Sequence, residues 1–474
     1  MAYLYQSSLG VIACLCEYCQ VLLFLGLTPC GWIGVDDPDD PYNWSAPRKI
    51  STSAIVSLGQ LVSFMSVSMM APVLSRVARD LDINEFTTQI TFSLFLLGVV
   101  FAPFPIASFS ETYGRKPVWL FFNALYVLWN ALCPVGHSLA LMVVGRFLAG
   151  FGASVGITLT GPIMTDMYRK EDRGKSLALV TLISFLGPGL GPLLGSAITQ
   201  KLEWPWLFWI MSILDAGISV AGLLLIKESY APVLMARRHN AGSKSFRVAA
   251  SKMAENLHRP LELLWRRPII QVIALVWAVN FGVYCLLLST FATLWISRYG
   301  QSEFISSLHY LSVSIGATIA AQGGGRFMDW TFAWQKARAP NVGTTPEYRV
   351  PCIVPGAIMT PIGLFWYGWA AEVGMHWAMV DVGVAIFVCG SFLSAQAMLA
   401  YLFDEFSHAA SANAASRTLS YLLGFVFPIF GPRIFVRLGY GWGNSLLAFL
   451  LVAIGCPLPV LLWAWGPKLR ALGR

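Results

Sequence analysis

The chain has little charge and few of the residue patterns that mark enzymes. Asp, Glu, Lys and Arg make up only 12% of its 474 residues, about half the usual share in soluble domains. The sequence contains no P-loop, no metal-spaced His pair and no paired Cys-x-x-Cys motifs. These absences argue against an ATP-driven pump and against a membrane enzyme. We therefore expect no catalytic residues, no metal site and no cofactor.

Apolar residues are abundant, at 56% of the chain, and the mean hydropathy is +0.64. Such a chain is predicted to be an all-α membrane protein built from spans of about 20 residues. We count twelve spans and number them one to twelve in chain order. They lie near 52–74, 88–107, 117–135, 139–164, 176–198, 205–226, 269–294, 306–326, 351–370, 377–402, 417–437 and 442–465.

A further apolar run, residues 9–27, lies in the N-terminal segment 1–50. It has no positively charged start, because the first basic residue is Arg48, and Glu17 and Gln20 interrupt it. It therefore fits neither a secretory signal nor a regular span. An interfacial segment, an extra span and an error in the gene model all remain open. With twelve spans, segment 1–50 is predicted to be cytoplasmic.

The formal net charge of +8 comes from basic residues that collect on one side of the predicted membrane. Positive residues concentrate in cytoplasmic loops, so this distribution predicts that both termini face the cytosol. It also explains the basic balance without a nucleic-acid partner. We expect a multi-pass protein of the plasma membrane, with the vacuolar membrane as the alternative.

A polar stretch divides the spans into two sets of six. Residues 227–268 carry nine Lys or Arg residues and are predicted to form a cytoplasmic central loop. The other predicted domains are an N-terminal six-helix bundle at 51–226, a C-terminal six-helix bundle at 269–466 and a cytoplasmic tail at 467–474.

An internal echo supports duplication of the two bundles. Ala107, Phe109 and Glu111 follow span two, and Gly325, Phe327 and Asp329 occupy the same spacing after span eight. Parallel repeats of this kind place a binding cavity between the halves near the middle of the membrane.

Span five contains the string GPGLGPLLGS at 187–196. Gly187, Gly191 and Gly195 form one smooth stripe on a helix, which predicts close packing against a neighbouring span. Pro188 and Pro192 each remove a backbone donor and predict a kink. A helix that packs closely and bends suits a moving barrier.

Three motifs resemble those of the major facilitator superfamily. ASFSETYGRK at 107–116 is similar to its loop pattern after span two, and RFLAGFGAS at 146–154 is similar to its span-four motif. Gly187, Gly191, Pro192 and Gly195 match its antiporter motif in span five. Four further strings resemble the fungal drug:proton antiporter branch with twelve spans: PYNWS at 41–45, ESYAPVL at 228–234, STFATLWISRYG at 289–300 and GYGWGNSLLAF at 439–449.

This resemblance covers about residues 36–470 and implies the major facilitator fold, with twelve transmembrane helices in two six-helix halves. It implies that Arg146 takes part in proton coupling. It also implies that Glu111, with Gly114, Arg115 and Lys116, forms a cytoplasmic latch against the positive end of a helix in the other half.

Ionisable groups inside a membrane are functional candidates because their burial is costly. Arg146 lies well inside span four, and Asp215 is the most central carboxylate of the chain. Both are candidates for proton coupling, although a structural, hydrogen-bonded Asp215 is an equal alternative. Asp381 is expected at the membrane interface.

Two larger sets of residues are candidates for the gate and the cavity. The other gate candidates, at cytoplasmic ends of spans, are Asp166, Asp404, Glu405 and Arg417. Met and aromatic side chains adapt to varied ligand shapes, and the cavity candidates are Met69, Met70, Phe281, Tyr284 and Gln396.

The most concrete interpretation is a secondary transporter that exports drugs, toxins or secondary metabolites in exchange for protons, by alternating access. It would need only a small organic substrate, protons and the lipid bilayer, and we expect a monomer. One alternative is a proton symporter that imports a nutrient. Another is a transport-inactive sensor or scaffold, which a long cytoplasmic tail would favour.

The predicted orientation can be tested at the central loop. A cysteine introduced by Lys244→Cys should react with a membrane-impermeant thiol reagent only after the cells are opened, because cytoplasmic loops hold the excess of positive charge. Reaction from outside in intact cells would contradict this orientation.

Overall fold

The computed structural model describes residues 37–169, 180, 182–238, 262, 264–338, 346–405 and 409–471. Regular structure in these residues is helical throughout. The apolar run at 9–27, Lys244 and most of the predicted central loop lie outside the described residues.

Eight helices precede the predicted central loop, a ninth lies near its start and seven follow it. The first group is α1 (Ala46–Ser68), α2 (Leu74–Asp80), α3 (Glu85–Phe101), α4 (Pro103–Tyr113), α5 (Arg115–Leu132), α6 (Leu139–Met167), α7 (Gly187–Thr199), α8 (Pro205–Leu225) and α9 (Ala231–Arg238). The second group is α10 (Pro268–Ser297), α11 (Glu303–Leu308), α12 (Leu311–Arg338), α13 (Ile353–Val373), α14 (Trp377–Glu405), α15 (Ala409–Gly455) and α16 (Pro457–Ala471). Both counts refer to the described ranges.

Eight helical stretches of the described chain are long and apolar enough to cross a membrane, or nine if α3 and α4 form one bent span. One of them, Ser416–Leu469, covers predicted spans eleven and twelve together. Span three corresponds to α5, whose charged first turn and two asparagines lower its hydropathy, and α7 covers the second part of span five. These helices are consistent with twelve spans.

Two breaks in the helices follow from prolines and one from a glycine. Span two bends by 41° between α3 and α4, because Pro103 and Pro105 each lack the backbone N–H that would continue the helical hydrogen bonds. Pro457 interrupts span twelve at Cys456, and α16 continues to Ala471, inside the predicted tail. Gly439, with φ +71°, separates the two parts of α15. The bend in span two was not predicted, although its prolines were visible.

Close approaches of helix backbones hold the first bundle together. A methyl group built on Gly98 of α3 would meet the backbone of α6 at Phe147, and one built on Gly150 of α6 would meet the backbone of α3 at Phe95. Small residues permit this approach, which provides the packing energy that water cannot supply in a membrane.

The two halves meet along α3 with α15 and along α7 with α11 and α12. At the end predicted to face outside, Arg76 of α2 forms an ion pair with Glu303 of α11, with Nη2 and Oε2 2.7 Å apart. Nearby, the hydroxyls of Ser196 in α7 and Ser307 in α11 are hydrogen-bonded at 2.5 Å. The outer end of the interface between the halves is therefore closed.

Candidate transport site

Arg146 is completely buried inside the first bundle. Its guanidinium donates to the backbone carbonyls of Ser66 in α1, at 3.3 and 3.4 Å, and of Phe92 in α3, at 3.3 Å. The guanidinium also lies 4.7 Å from the ring centre of Phe95, a cation–π contact. Its Nε has no hydrogen-bond partner in the described part of the chain. Carbonyl dipoles and an aromatic face thus hold the charge that a carboxylate would otherwise balance.

Tyr126 of α5 connects this arginine with Asp215 of α8. The Tyr126 hydroxyl is 2.6 Å from Oγ of Ser66, and its side chain lies within electrostatic range of both Arg146 and Asp215. Asp215 is 1% exposed. Its Oδ2 has no hydrogen-bond partner among the described residues. The two ionisable groups therefore share one polar cluster without forming a close ion pair there.

Asn130, one helical turn from Tyr126, fixes α5 against α8. Its amide donates to the carbonyl of Phe208 at 2.8 Å and to Oγ of Ser212 at 2.9 Å. These bonds join the two helices that carry Tyr126 and Asp215.

The predicted glycine stripe of span five lies against α1. The atoms nearest to a methyl group built on each glycine are Phe64 Cβ at 2.6 Å for Gly187, Met65 O at 2.5 Å for Gly191 and Met69 O at 2.5 Å for Gly195. Real Cβ atoms do not approach backbone atoms so closely. Only glycine at these positions leaves room for α1.

The helical path of span five breaks at Leu186, and α7 starts at the following residue. Within α7, Pro192 lacks the N–H that would bind the carbonyl of Pro188. The hydroxyl of Ser68 in α1 donates to that carbonyl instead, at 3.2 Å. The neighbouring span thus replaces a hydrogen bond that the proline removes.

Gly189, between the two prolines, faces the other half of the protein. A methyl group there would lie 2.5 Å from Oγ of Ser314 and 3.0 Å from the carbonyl of Tyr310. Ser314 also donates to the carbonyl of Leu186, at 3.3 Å. Sequence reasoning missed this second close surface, because it considered only the stripe at every fourth residue.

On the predicted cytoplasmic side, Arg115 pairs with Asp166 of α6, with Nε and Oδ2 3.1 Å apart. Arg115 also donates to Oγ of Ser110 at 2.7 Å and lies 4.4 Å from the ring centre of Tyr230. Glu111 lies within electrostatic range of Tyr230. These contacts of the predicted latch are all within the first half.

Sequence reasoning also missed Glu228, which follows α8. Its carboxylate accepts the backbone N–H groups of Arg115 at 2.7 Å and Lys116 at 3.2 Å, at the start of α5. It accepts those of Ser229 and Tyr230 as well. Gly114, with φ +106°, leads into this turn, and a side chain there would meet Glu228. The N-terminal, positive end of α5 is thus neutralised by the carboxylate of Glu228, which follows the last helix of the same bundle. The sequence signal that could have identified Glu228 was the ESYAPVL string, which begins at this residue.

In the second half, Asp404 pairs with Arg349, with Oδ2 and Nε 2.9 Å apart. Arg417 donates to Asn413 at 3.1 Å and to the Tyr421 hydroxyl at 3.3 Å. Lys116, in the first half, donates to the carbonyl of Leu223 at 2.8 Å. Glu405, half-buried, ends α14. Asp166 and Asp404 therefore each pair with an arginine of their own half.

An aromatic cluster lies where α10, α14 and α15 meet the segment before α7. Tyr284 and Phe281 pack together, with ring centres 5.9 Å apart, and Phe281 contacts Tyr421 at 5.4 Å. Phe392 contacts Tyr284 at 5.6 Å and, across the two halves, Phe185 at 5.0 Å. The Tyr284 hydroxyl is buried without a hydrogen-bond partner within the described ranges.

The other cavity candidates lie elsewhere. Met69 and Met70 are fully buried below the closed outer end, and the amide of Gln396 faces Gly324 of α12. Only Phe281 and Tyr284 of the five belong to the aromatic cluster. The spacing of residues along one helix shows which residues share a face, but it does not show which other helix that face contacts.

Two bundles of membrane helices, closed against each other at one end and carrying polar and aromatic groups at their centre, define a membrane carrier. The sequence model of the Major Facilitator Superfamily matches residues 56–428. The chain belongs to this superfamily of transporters. It is therefore a transporter and not an enzyme.

Curated relatives match most of the chain. The probable efflux pump mfs2 of Aspergillus flavus is 38% identical over 85% of this chain and 98% of its own length. The efflux pump vrtL of Penicillium aethiopicum is 34% identical over 94% of this chain and 90% of its own.

Solved structures support the same fold. The E. coli xylose transporter XylE, in a partially occluded inward-open conformation, matches with a TM-score of 0.62 and 14% identity, covering 88% of this chain and 98% of its own. The human organic anion transporter MFSD10 matches with a TM-score of 0.58 and 15% identity, over 86% and 99%.

The glycine stripe can be tested by Gly191→Leu. A side chain at this position must displace α1, so we expect at least a tenfold loss of transport rate in membranes that contain the protein at normal level. The control is Gly217→Leu, because nothing lies within 4 Å of a Cβ at Gly217. Equal loss in both variants, or in neither, would contradict the role of the stripe.

The contribution of Glu228 can be measured by Glu228→Ala. The variant leaves N–H groups at the start of α5 without their acceptor, so we expect destabilisation by about 2 kcal/mol. The readout is the thermal unfolding midpoint in detergent. Exposed Glu203 at the outer end provides the control Glu203→Ala, and equal midpoints in the two variants would contradict the capping role.

Proposed function

We propose that this protein is a proton-coupled antiporter that exports organic compounds from the cytosol. The observation that carries the proposal is the buried carboxylate of Asp215, which lies within electrostatic range of Tyr126 and has an oxygen with no hydrogen-bond partner among the described residues. The efflux pumps named among its relatives support export.

Asp215 would bind the coupling proton. A carboxylate in an apolar environment is costly unless it takes up a proton or gains a cation. In this conformation Arg146 is occupied by carbonyl groups. A shift of α5 or α8 that brings water or the guanidinium to Asp215 would favour release of the proton. Tyr126 interacts electrostatically with both groups and would transmit the change.

The cargo would bind at the aromatic cluster. Phe281, Tyr284 and Phe392 offer apolar faces, and the Tyr284 hydroxyl, which has no partner among the residues that the structure describes, offers one hydrogen bond. Phe185 contributes from the other half, so both halves would contact the cargo. Such a site suits amphipathic, partly aromatic molecules, including secondary metabolites, toxins and drugs.

Alternating access would come from rocking of the halves about span five. The contacts that close the outer end, Arg76 with Glu303 and Ser196 with Ser307, must break to release cargo outside. The close contact of Gly189 with Ser314 of α12 and with the carbonyl of Tyr310 would let the two halves turn on each other with no bulky side chain between them at this point.

The proton gradient would supply the energy, so no cofactor is required. We further propose a monomer in the plasma membrane, with the vacuolar membrane as the alternative. Import by proton symport is the competing function. We prefer export because relatives of 38% and 34% identity are named a probable efflux pump and an efflux pump. The similarity to XylE, which is a proton:xylose symporter, is at only 14% identity.

The coupling role is tested by Asp215→Asn. This variant should lose efflux driven by a pH gradient by at least a hundredfold, because an amide cannot carry the proton. Exchange of labelled for unlabelled substrate, which needs no proton, should persist.

The control is Ser212→Ala, one turn away, which loses a hydrogen bond but no titrating group. Unchanged pH-driven efflux in Asp215→Asn proteoliposomes would remove Asp215 from this role.

A further inference from the structure

His309, which joins α11 to α12 near the outer end, makes three specific contacts. Its Nδ1 is 2.7 Å from Oδ2 of Asp381 in α14, and its Nε2 is 2.9 Å from Oε1 of Gln301. Its ring stacks on Trp295 of α10, with centroids 3.6 Å apart and planes 9° from parallel. The side chain is 8% exposed. Such a ring is held from three sides.

The geometry of these contacts can hold a charged imidazolium. Both ring nitrogens face oxygen atoms, and a histidine that donates twice must carry two protons. The face of Trp295 stabilises a cation. The second carboxylate oxygen of Asp381 has no hydrogen-bond partner in the described chain, so its charge depends on His309 for compensation.

The same segment closes the outer end. Glu303 and Ser307, two to six residues before His309, hold Arg76 and Ser196 of the first half. Contacts that fix His309 on Asp381 and Trp295 therefore also position the side chains that cross to the other half. Helix α11 therefore links the His309–Asp381 pair physically to the contacts that close the outer end.

Other titratable and charged groups surround this pair. They are Tyr299, whose ring is tilted against Trp295, Arg298 next to Tyr299, His376 beside Trp377, and the ion pair of Glu303 with Arg76. Arg298 is occupied by the carbonyl of Glu372, and His376 is exposed.

We propose that His309 and Asp381 form a proton-binding site at the outer end, and that proton uptake there holds α11 in the position that closes the outer gate. Loss of the proton removes one of the two donated hydrogen bonds and the charge opposite Asp381, which frees α11 to open. External acid thus closes the gate behind a departed cargo.

This site adds a second proton to the exchange proposed above, at a separate place. Its test needs no transport, so the site and the coupling role of Asp215 can fail separately. An Asp215→Asn protein should show the same response of the outer gate to pH.

The gate can be followed by paired spin labels on Arg79→Cys in α2 and Ile305→Cys in α11, both exposed, in full-length protein whose other cysteines are replaced. Pulsed electron paramagnetic resonance in proteoliposomes then measures the distance between the two labels across the outer end. The measurement is repeated at pH values from about 5 to 8, the range in which histidine titrates. We expect the short-distance population to grow severalfold on acidification. A population that does not change with pH would overturn the proposal.

Variants identify the group that responds. His309→Gln should abolish the pH response, whereas the matched control His376→Gln, an exposed histidine at the same end, should retain it. A full response in His309→Gln would overturn the proposal.

The variant Asp381→Asn tests the same site independently, and it can be used if His309→Gln does not fold. Removal of the carboxylate weakens proton binding at His309, so the midpoint of the response should move by about one unit toward acid, a tenfold change in proton affinity. An unchanged midpoint would overturn the proposal, because a merely structural aspartate would not move it.

Discussion

A membrane interior offers polar groups no water, so each buried polar atom must find its partner within the protein. Arg146 meets this requirement with carbonyls from α1 and α3 and with the ring of Phe95. Because α1 and α3 both supply partners to this side chain of α6, the charge can be buried only when the first bundle is assembled. The polar cluster of Tyr126 and Asp215 is built on that arrangement.

Span five follows the same constraint in a different way. Its prolines leave carbonyls without donors, and Ser68 of the neighbouring span supplies one. Its glycines bring its backbone against α1 on one side and against α12 on the other. A helix packed closely on both halves is well placed to transmit a relative rotation of the halves, and loss of its small residues would lock or separate them.

The gates at the two ends differ in kind. On the predicted cytoplasmic side, Arg115 with Asp166 and Arg349 with Asp404 each join segments of one half. At the outer end, Arg76 with Glu303 joins one half to the other. Exposed ion pairs contribute little by themselves. The outer contacts therefore suit an equilibrium that a single proton can shift.

Hydropathy, the basic central loop and the motif strings were sufficient to predict the fold class and the family, because these depend on patterns within one segment. The same patterns marked Arg146, Asp215 and span five as candidates, and their roles stay predictions. The partners of those residues depend on which helix faces meet. Glu228 capping α5, Gly189 against α12 and the His309–Asp381 pair join residues far apart in the chain. Only the packing of the helices decided those contacts. The periodicity of the sequence defines which residues share one face of a helix, but not which face of which other helix lies opposite.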